Sequence, residues 1–302
     1  MNNLIVIAGP TAVGKTKTAI EVAKHFKTEI ISADSRQIFI EPHIGTAVPS
    51  DEELSQVKHY LIGTKHITDN YNAWMYEQDA LEAIQSIFRT HNVAVLVGGS
   101  GLYIDAVCNG IDEIPDIDPE LRATINAEFE NNGILSLRKT LQRLDPEYYE
   151  IVDLSNPVRL KRAIEICLQA GKPYSELRKS QKKQRPFNCI KIALNLPREE
   201  LYEKINTRVD QMVAEGLEAE VRQLERYQDC MALKTVGYRE FFDYFNGKCD
   251  KETAIEKIKQ NTRKYAKKQI TWIKRTNDYT WFSPYETVKI IEHIDSVIYN
   301  NQ

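Results

Sequence analysis

Lys15 and Asp34 are the residues whose types and surroundings point most directly to chemistry. The stretch "VIAGPTAVGKTKTA", Val6 to Ala19, fits the phosphate-loop pattern G-x-x-x-x-G-K-S/T at Gly9, Gly14, Lys15 and Thr16. In such a loop the glycines let successive backbone N–H groups point at phosphate oxygens, and the following helix adds the positive end of its dipole. Lys15 would neutralise charge and the Thr16 hydroxyl would ligate Mg²⁺. What the phosphates are attached to stays open, because a triphosphate and a diphosphate ester present much the same oxygens. The plain alternative is a glycine-rich turn with a solvated lysine. Asp34, in "ISADSRQIFIEPHIGTAVPS", is expected at the end of a strand, facing that loop. An acid there could hold Mg²⁺ or activate an acceptor hydroxyl, or it could simply cap a helix beside Ser35.

Two further stretches could serve a ligand. In "VGGSGLY", small residues at the end of a third strand permit close approach of backbone to ligand, a tight turn being the alternative. "KIKQNTRKYAKKQITWIKR", Lys257 to Arg275, carries eight Lys or Arg and no acid. Ile255, Ile258, Thr262, Tyr265 and Trp272 recur there at helical steps, which predicts a helix with one stripe on the core and basic side chains beside it. Such a face suits the phosphates of RNA, although an ordinary solvated face has the same composition. A second basic cluster, Lys172 to Pro186, follows "NPVRLKRAIEI".

The elements that must position these residues read as an α/β fold. "LIVIAG", "EIISAD" and "VAVLVGG" are short apolar runs without alternation, as expected of parallel strands covered on both faces. Helical segments lie between them, so the order predicts a P-loop NTPase-like, doubly wound parallel sheet with ligands beyond the carboxyl ends of its strands. From about Pro115 the texture becomes helical and charged, and "CIKIALNLP" at Cys189 returns the chain to the sheet. The expected division is therefore a core of residues 1–115 and 190–302 with a helical C-terminal region, and a mostly helical insertion over residues 116–189.

Composition narrows the class. The chain has 302 residues, 42% of them hydrophobic, and a formal net charge of -3, which argues against a protein that coats nucleic acid wholesale. Its five cysteines are scattered without C-x-x-C spacing and read as reduced bystanders. The apolar run Leu4–Ala8 is too short for a secretory core and no later run approaches a membrane span, so a cytoplasmic location is expected.

Taken together, "GPTAVGKT", "DSRQIF" with "IGTAVPS", "VGGSGLY", "RVDQMVAEGLEAEV", "TVGYRE" and "TRKYAKKQITWIKR" resemble the bacterial tRNA dimethylallyltransferase family. The resemblance runs in order from about Leu4 to Arg275. It implies transfer of a dimethylallyl group from dimethylallyl diphosphate to N6 of adenosine 37, beside the anticodon of tRNAs that read codons beginning with U. It implies Mg²⁺, held at Thr16, and a diphosphate site of Gly9, Thr11, Ala12, Val13, Gly14, Lys15, Thr16 and Arg208. Asp34 is then the general base, with Thr11 and Arg208 at the reacting centre. For the tRNA anticodon stem-loop it implies contacts from Asp34, Ser35, Arg36, Gln37, Ser100, Arg122, Arg159, Arg162, Gly237, Tyr238 and Arg239, in a protein expected to be a monomer.

Departures from the family pattern are few. Ser100 stands where threonine is common, Gly63 stands at the aspartate of the H-x-L-I-D run, and no Cys/His array of the eukaryotic kind follows the basic helix. Three other readings stay open. An adenylate isopentenyltransferase would prenylate a free nucleotide, a P-loop small-molecule kinase would release ADP, and an RNA-binding module would use the phosphate site for structure alone.

Overall fold

The computed structural model describes residues 2–178 and 182–300. The chain divides into two compact units, one of residues 1–108 and 184–302 and one of residues 109–183.

In the first unit, β1 (Asn3–Ala8), α1 (Lys15–His25), β2 (Ile30–Ser32), α2 (Asp51–Gln56), β3 (His59–Tyr60), α3 (Ala73–Ile87), β4 (Val93–Gly98) and α4 (Gly101–Asn109) precede the second unit. The strands pair in parallel in the order β3-β2-β4-β1, and after the second unit β5 (Asn188–Leu194) adds to the free side of β1. β1 is thus central, and all six of its residues are buried, which is why it reads as an unbroken apolar run. Strands laid down before the second unit lie on one side of β1 and those after it on the other, a change of side that opens a crevice at the carboxyl end of β1. The loop of residues 9–14 occupies that end.

Beyond β5 come α9 (Arg198–Ala214), α10 (Leu217–Gln223), α11 (Tyr238–Phe245), α12 (Lys251–Ile273), the edge strand β6 (Thr280–Phe282) and α13 (Thr287–Asn300). One core cluster holds Leu4, Val6, Leu96 and Ile104 with Phe241 and Ile258, and another holds Ile5, Ile7, Val95 and Ile192 with Ala266 and Ile290. The helical C-terminal region therefore packs against both sets of sheet side chains.

The second unit is helical: α5 (Pro119–Leu144), broken at Gly133 (φ 67°), then α6 (Pro146–Ile151), α7 (Pro157–Ala170) and α8 (Tyr174–Leu177). Its own core is built from Ile125, Leu137, Leu141, Leu160 and Ile164. Its limits differ from the expected 116–189. Phe187 is buried in the first unit's core and β5 begins at Asn188, so hydrophobic burial and sheet pairing claim residues 184–189 for the sheet. β3, two residues long, and β6, largely exposed, do not stand out as apolar runs, whereas the equally short β2 is fully buried and does.

Candidate active site

Gly14 takes φ 103°, a conformation open to glycine and costly for other residues, and it starts α1 with no side-chain cap. The first-turn N–H groups of α1 therefore lack a capping side chain and lie where Gly14, Lys15 and Thr16 line a cavity of about 970 Å³. Lys15 Nζ donates to the Pro10 carbonyl at 2.8 Å, which folds it back over the loop. Withdrawal from bulk water lowers its pKa to about 8, against the opposing pull of Asp34 and with a further lowering by Arg208. Arg208, from α9, is likewise lowered by burial, with Asp34, Glu53 and Glu215 acting against that shift. Lys15, Asp34 and Arg208 thus form one electrostatically coupled group.

Not every residue of the loop meets the cavity. Val13 is buried in the core, its N–H directed to the Pro10 carbonyl, and a Cβ on Gly9 would lie 2.9 Å from the Leu194 carbonyl. These two shape the loop from behind instead of lining the cavity. Thr11 and Ala12 do line the cavity, but the Thr11 N–H is taken by Gln269 Oε1 at 2.9 Å.

Asp34 follows β2 and closes a short turn, its Oδ1 accepting from Arg36 N at 2.9 Å and Gln37 N at 3.4 Å. Capping and chemistry, posed as alternatives in the sequence, use different oxygens: among the described residues Oδ2 takes no protein hydrogen bond. Asp34 lines the large cavity and also a second one of about 420 Å³. Thr11, Thr46, Ala47, Arg208, Met212 and Tyr265 border both as well, so the two cavities meet at this group. Arg36, Lys234, Arg239, Lys264 and Lys268 line the second cavity, where Asp34 is the one acid among the lining residues.

The "VGGSG" segment serves packing more than ligand approach. A Cβ on Gly98 would lie 2.1 Å from the Ala33 carbonyl, one on Gly99 2.1 Å from Gln269 Nε2 and one on Gly101 2.2 Å from the Trp272 ring. The small residues admit β2 and α12, and Gln269 joins the phosphate loop to this segment by donating to the Gly99 carbonyl at 3.0 Å. Ser100 is buried, accepting from Ser35 N at 2.9 Å and donating to Ser35 Oγ at 3.1 Å, so it steadies the Asp34 turn from beneath.

A model of the IPP transferase family matches residues 37–276. The chain belongs to the IPP transferase family. It is 50% identical over 294 residues to tRNA dimethylallyltransferase 1 of Bacteroides thetaiotaomicron, covering 97% of this chain and 96% of that protein. It is 49% identical to tRNA dimethylallyltransferase of Christiangramia forsetii, covering 98% and 99%. The solved tRNA isopentenylpyrophosphate transferase of Bacillus halodurans superposes with a TM-score of 0.72 at 34% identity, covering 98% of this chain and 96% of that one. A eukaryotic dimethylallyltransferase acting on tRNA superposes with a TM-score of 0.78 at 26% identity, covering 94% and 74%.

The remaining positions expected from this IPP transferase family's pattern fall into three groups. Ser35, Arg36, Gly237 and Arg239 line the second cavity, although Arg36 Nη1 donates to the carbonyls of Met231 at 3.1 Å and Ala232 at 3.2 Å. Gln37 and Tyr238 do not line the second cavity. Gln37 lines the large cavity and spends its amide on the carbonyls of Thr46 and Ala47, whereas Tyr238 is fully buried with its hydroxyl on Glu220. In the second unit, exposed Arg122 and Arg162 converge on Glu165 at 3.4 and 3.6 Å, with exposed Arg159 on the same helix as Arg162. Of the basic cluster Lys172–Pro186, residues 179–181 lie outside the described residues.

Two further residues of the site are not marked by sequence spacing. Tyr265 falls by spacing on the core stripe of α12, but it lines both cavities and stays 41% exposed there, its phenol raised by partial withdrawal from water and then by the charge of Asp34. The other is Gln269, which accepts from the Thr11 N–H and donates to the Gly99 carbonyl; a glutamine on the otherwise apolar stripe Ala254, Ile258, Ala266, Ile273 is the signal the sequence offers for it.

Proposed function

We propose that the chain transfers the dimethylallyl group of dimethylallyl diphosphate to N6 of adenosine 37 in tRNAs reading codons that begin with U, leaving N6-dimethylallyladenosine and diphosphate. The observation that carries this reading is the junction: one acid, Asp34, borders both a phosphate-loop cavity and a second, strongly basic cavity. The diphosphate takes the first and the extruded adenine the second.

In the transfer the C1–O bond to diphosphate breaks as the N6–C1 bond forms, and the N6 proton passes to Asp34. The N6 lone pair is delocalised into the purine, so the amine is a poor nucleophile whose proton becomes acidic only as the new bond forms. A carboxylate within reach therefore acts mainly in the transition state. Negative charge gathers on the departing oxygens, where Lys15, Arg208 and the N–H groups at the start of α1 stabilise it. The donor set suits Mg²⁺ bound chiefly by the diphosphate and water. Thr16 offers a hydroxyl in the cavity, and no group of three His, Cys, Asp or Glu converges among the described residues. When bound, Mg²⁺ would offset charge on the leaving diphosphate.

The RNA-facing side combines the second cavity with exposed Lys264, Lys267 and Lys268 on α12, while Arg122, Arg159 and Arg162 of the second unit take backbone phosphates of the anticodon stem-loop. The reading places the protein in the cytoplasm as a monomer; no helix among the described residues is long and apolar enough to cross a membrane. A free-nucleotide acceptor would not call for these basic surfaces. Incubation with dimethylallyl diphosphate, Mg²⁺ and unmodified tRNA, followed by nucleoside mass spectrometry, should yield N6-dimethylallyladenosine. ADP formed from ATP, with no prenylated nucleoside, would favour the kinase reading instead.

A further inference from the structure

The run "IGTAVPS" has no role in the chemistry above, yet Thr46 and Ala47 border both cavities. The backbone there is fastened from two sides. The N–H groups of His43, Ile44 and Gly45 all donate to the Glu220 carboxylate, at 3.0, 2.6 and 3.0 Å, and the Tyr238 hydroxyl donates a fourth hydrogen bond to it at 2.6 Å. From the opposite side Gln37, on the Asp34 turn, donates to the carbonyls of Thr46 at 3.2 Å and Ala47 at 2.9 Å. Ala47 is held at φ 51°, left-handed for a residue with a Cβ, and a Cβ on Gly45 would lie 2.6 Å from the Tyr238 ring. Glu220 lines neither cavity, so it acts through the segment it holds. Only a carboxylate suits that place, since it offers about four acceptor sites and no donor, whereas a carboxamide would turn N–H against N–H.

We propose that Glu220, with Tyr238 behind it, is a positioning residue that fixes residues 43–47 as the partition between the two cavities and so keeps water from the allylic carbon during transfer. The proposal rests on the prenyl-transfer reading. A loosened partition opens a competing reaction. Water oxygen bonds to C1, the C1–O electrons leave with diphosphate and the water proton is released, so dimethylallyl alcohol forms in place of prenylated adenosine.

The test is product partitioning in the full-length chain with radiolabelled dimethylallyl diphosphate and tRNA, counting prenylated nucleoside and free alcohol separately. Glu220→Gln should lower the transfer-to-hydrolysis ratio by about tenfold or more, the scale on which loss of a charge-assisted hydrogen bond acts. Tyr238→Phe should lower it less, because three N–H donors remain. Glu218→Gln, on the same helix but paired with Lys251, should match the parent chain. A folded Glu220→Gln with an unchanged ratio, or with slower transfer and no added alcohol, overturns the proposal. If that variant does not fold, Tyr238→Phe decides on the same ratio, and no change overturns it. A parent chain that prenylates no tRNA defeats the prenyl-transfer reading itself.

Discussion

Lys15 is held in a loop that lowers its pKa to about 8, so its charge is exposed to modest changes of pH. The sign is that of a depressed cation: the ammonium is intact below about 8 and lost above it. Diphosphate, once bound, favours the charged form and raises the pKa again. The expected result is that kcat/KM for dimethylallyl diphosphate falls as pH rises through about 8, while kcat holds to higher pH, because the first reports free enzyme and the second the complex. A kcat/KM flat to pH 10 would contradict it. At this scale the placement of Lys15, Thr16 and Asp34 on one cavity was legible in the sequence, because it is set within a few positions of a strand end. Glu220 and Gln269 were not legible, because the backbone groups they hold lie 175 to 177 and 170 to 258 positions away and no local pattern encodes them.

Among the elements, α12 combines a structural tie and a basic surface on one helix. Its Gln269 spans the Thr11 N–H and the Gly99 carbonyl, and its Lys264, Lys267 and Lys268 stand exposed near or in the second cavity. Lys259 and Arg263 are instead engaged, with Asp210 and Asn206 of α9, so only part of the basic run is free for RNA. Replacing Lys264, Lys267 and Lys268 by Gln should weaken tRNA binding and flatten the slope of log affinity against log salt by about 2, from roughly 0.7 per lost phosphate contact. Filter binding across a salt series checks this, and an unchanged slope would move the RNA face elsewhere. The helix and its charge were readable from composition and period. The direction of Tyr265 was not, because a cavity and a core lie on the same side of the helix and a three- and four-residue step cannot distinguish them.

For the molecule as a whole, the chain returns from the second unit to its sheet at a point that Arg185 fastens within the first unit. Arg185 donates to the carbonyls of Val107 at 2.8 Å and Ala106 at 2.7 Å and pairs with buried Glu77 of α3 at 2.7 Å. Arg185→Met should cost about 3 kcal/mol in chemical denaturation, since it withdraws the cation beside a buried carboxylate, and Glu77→Gln in the same chain should recover part of the loss. Wild-type stability in the single variant would show that re-entry is fixed by Phe187 and β5 alone. The parallel sheet was legible because its central strands are covered on both faces. The limits of the insertion were not, because the basic residues before β5 resemble the helical unit in composition and only burial assigns them to the sheet.

On the proposed reading, Asp34 takes the N6 proton where the two cavities meet. Asp34→Asn keeps an acceptor for the Arg36 and Gln37 N–H groups, and so keeps the turn, while removing the base. Single-turnover prenyl transfer measured alongside tRNA affinity should show a rate lower by about 10²- to 10⁴-fold with tRNA affinity nearly unchanged. Transfer at close to the parent rate, or an equal loss of rate and affinity, would contradict the account.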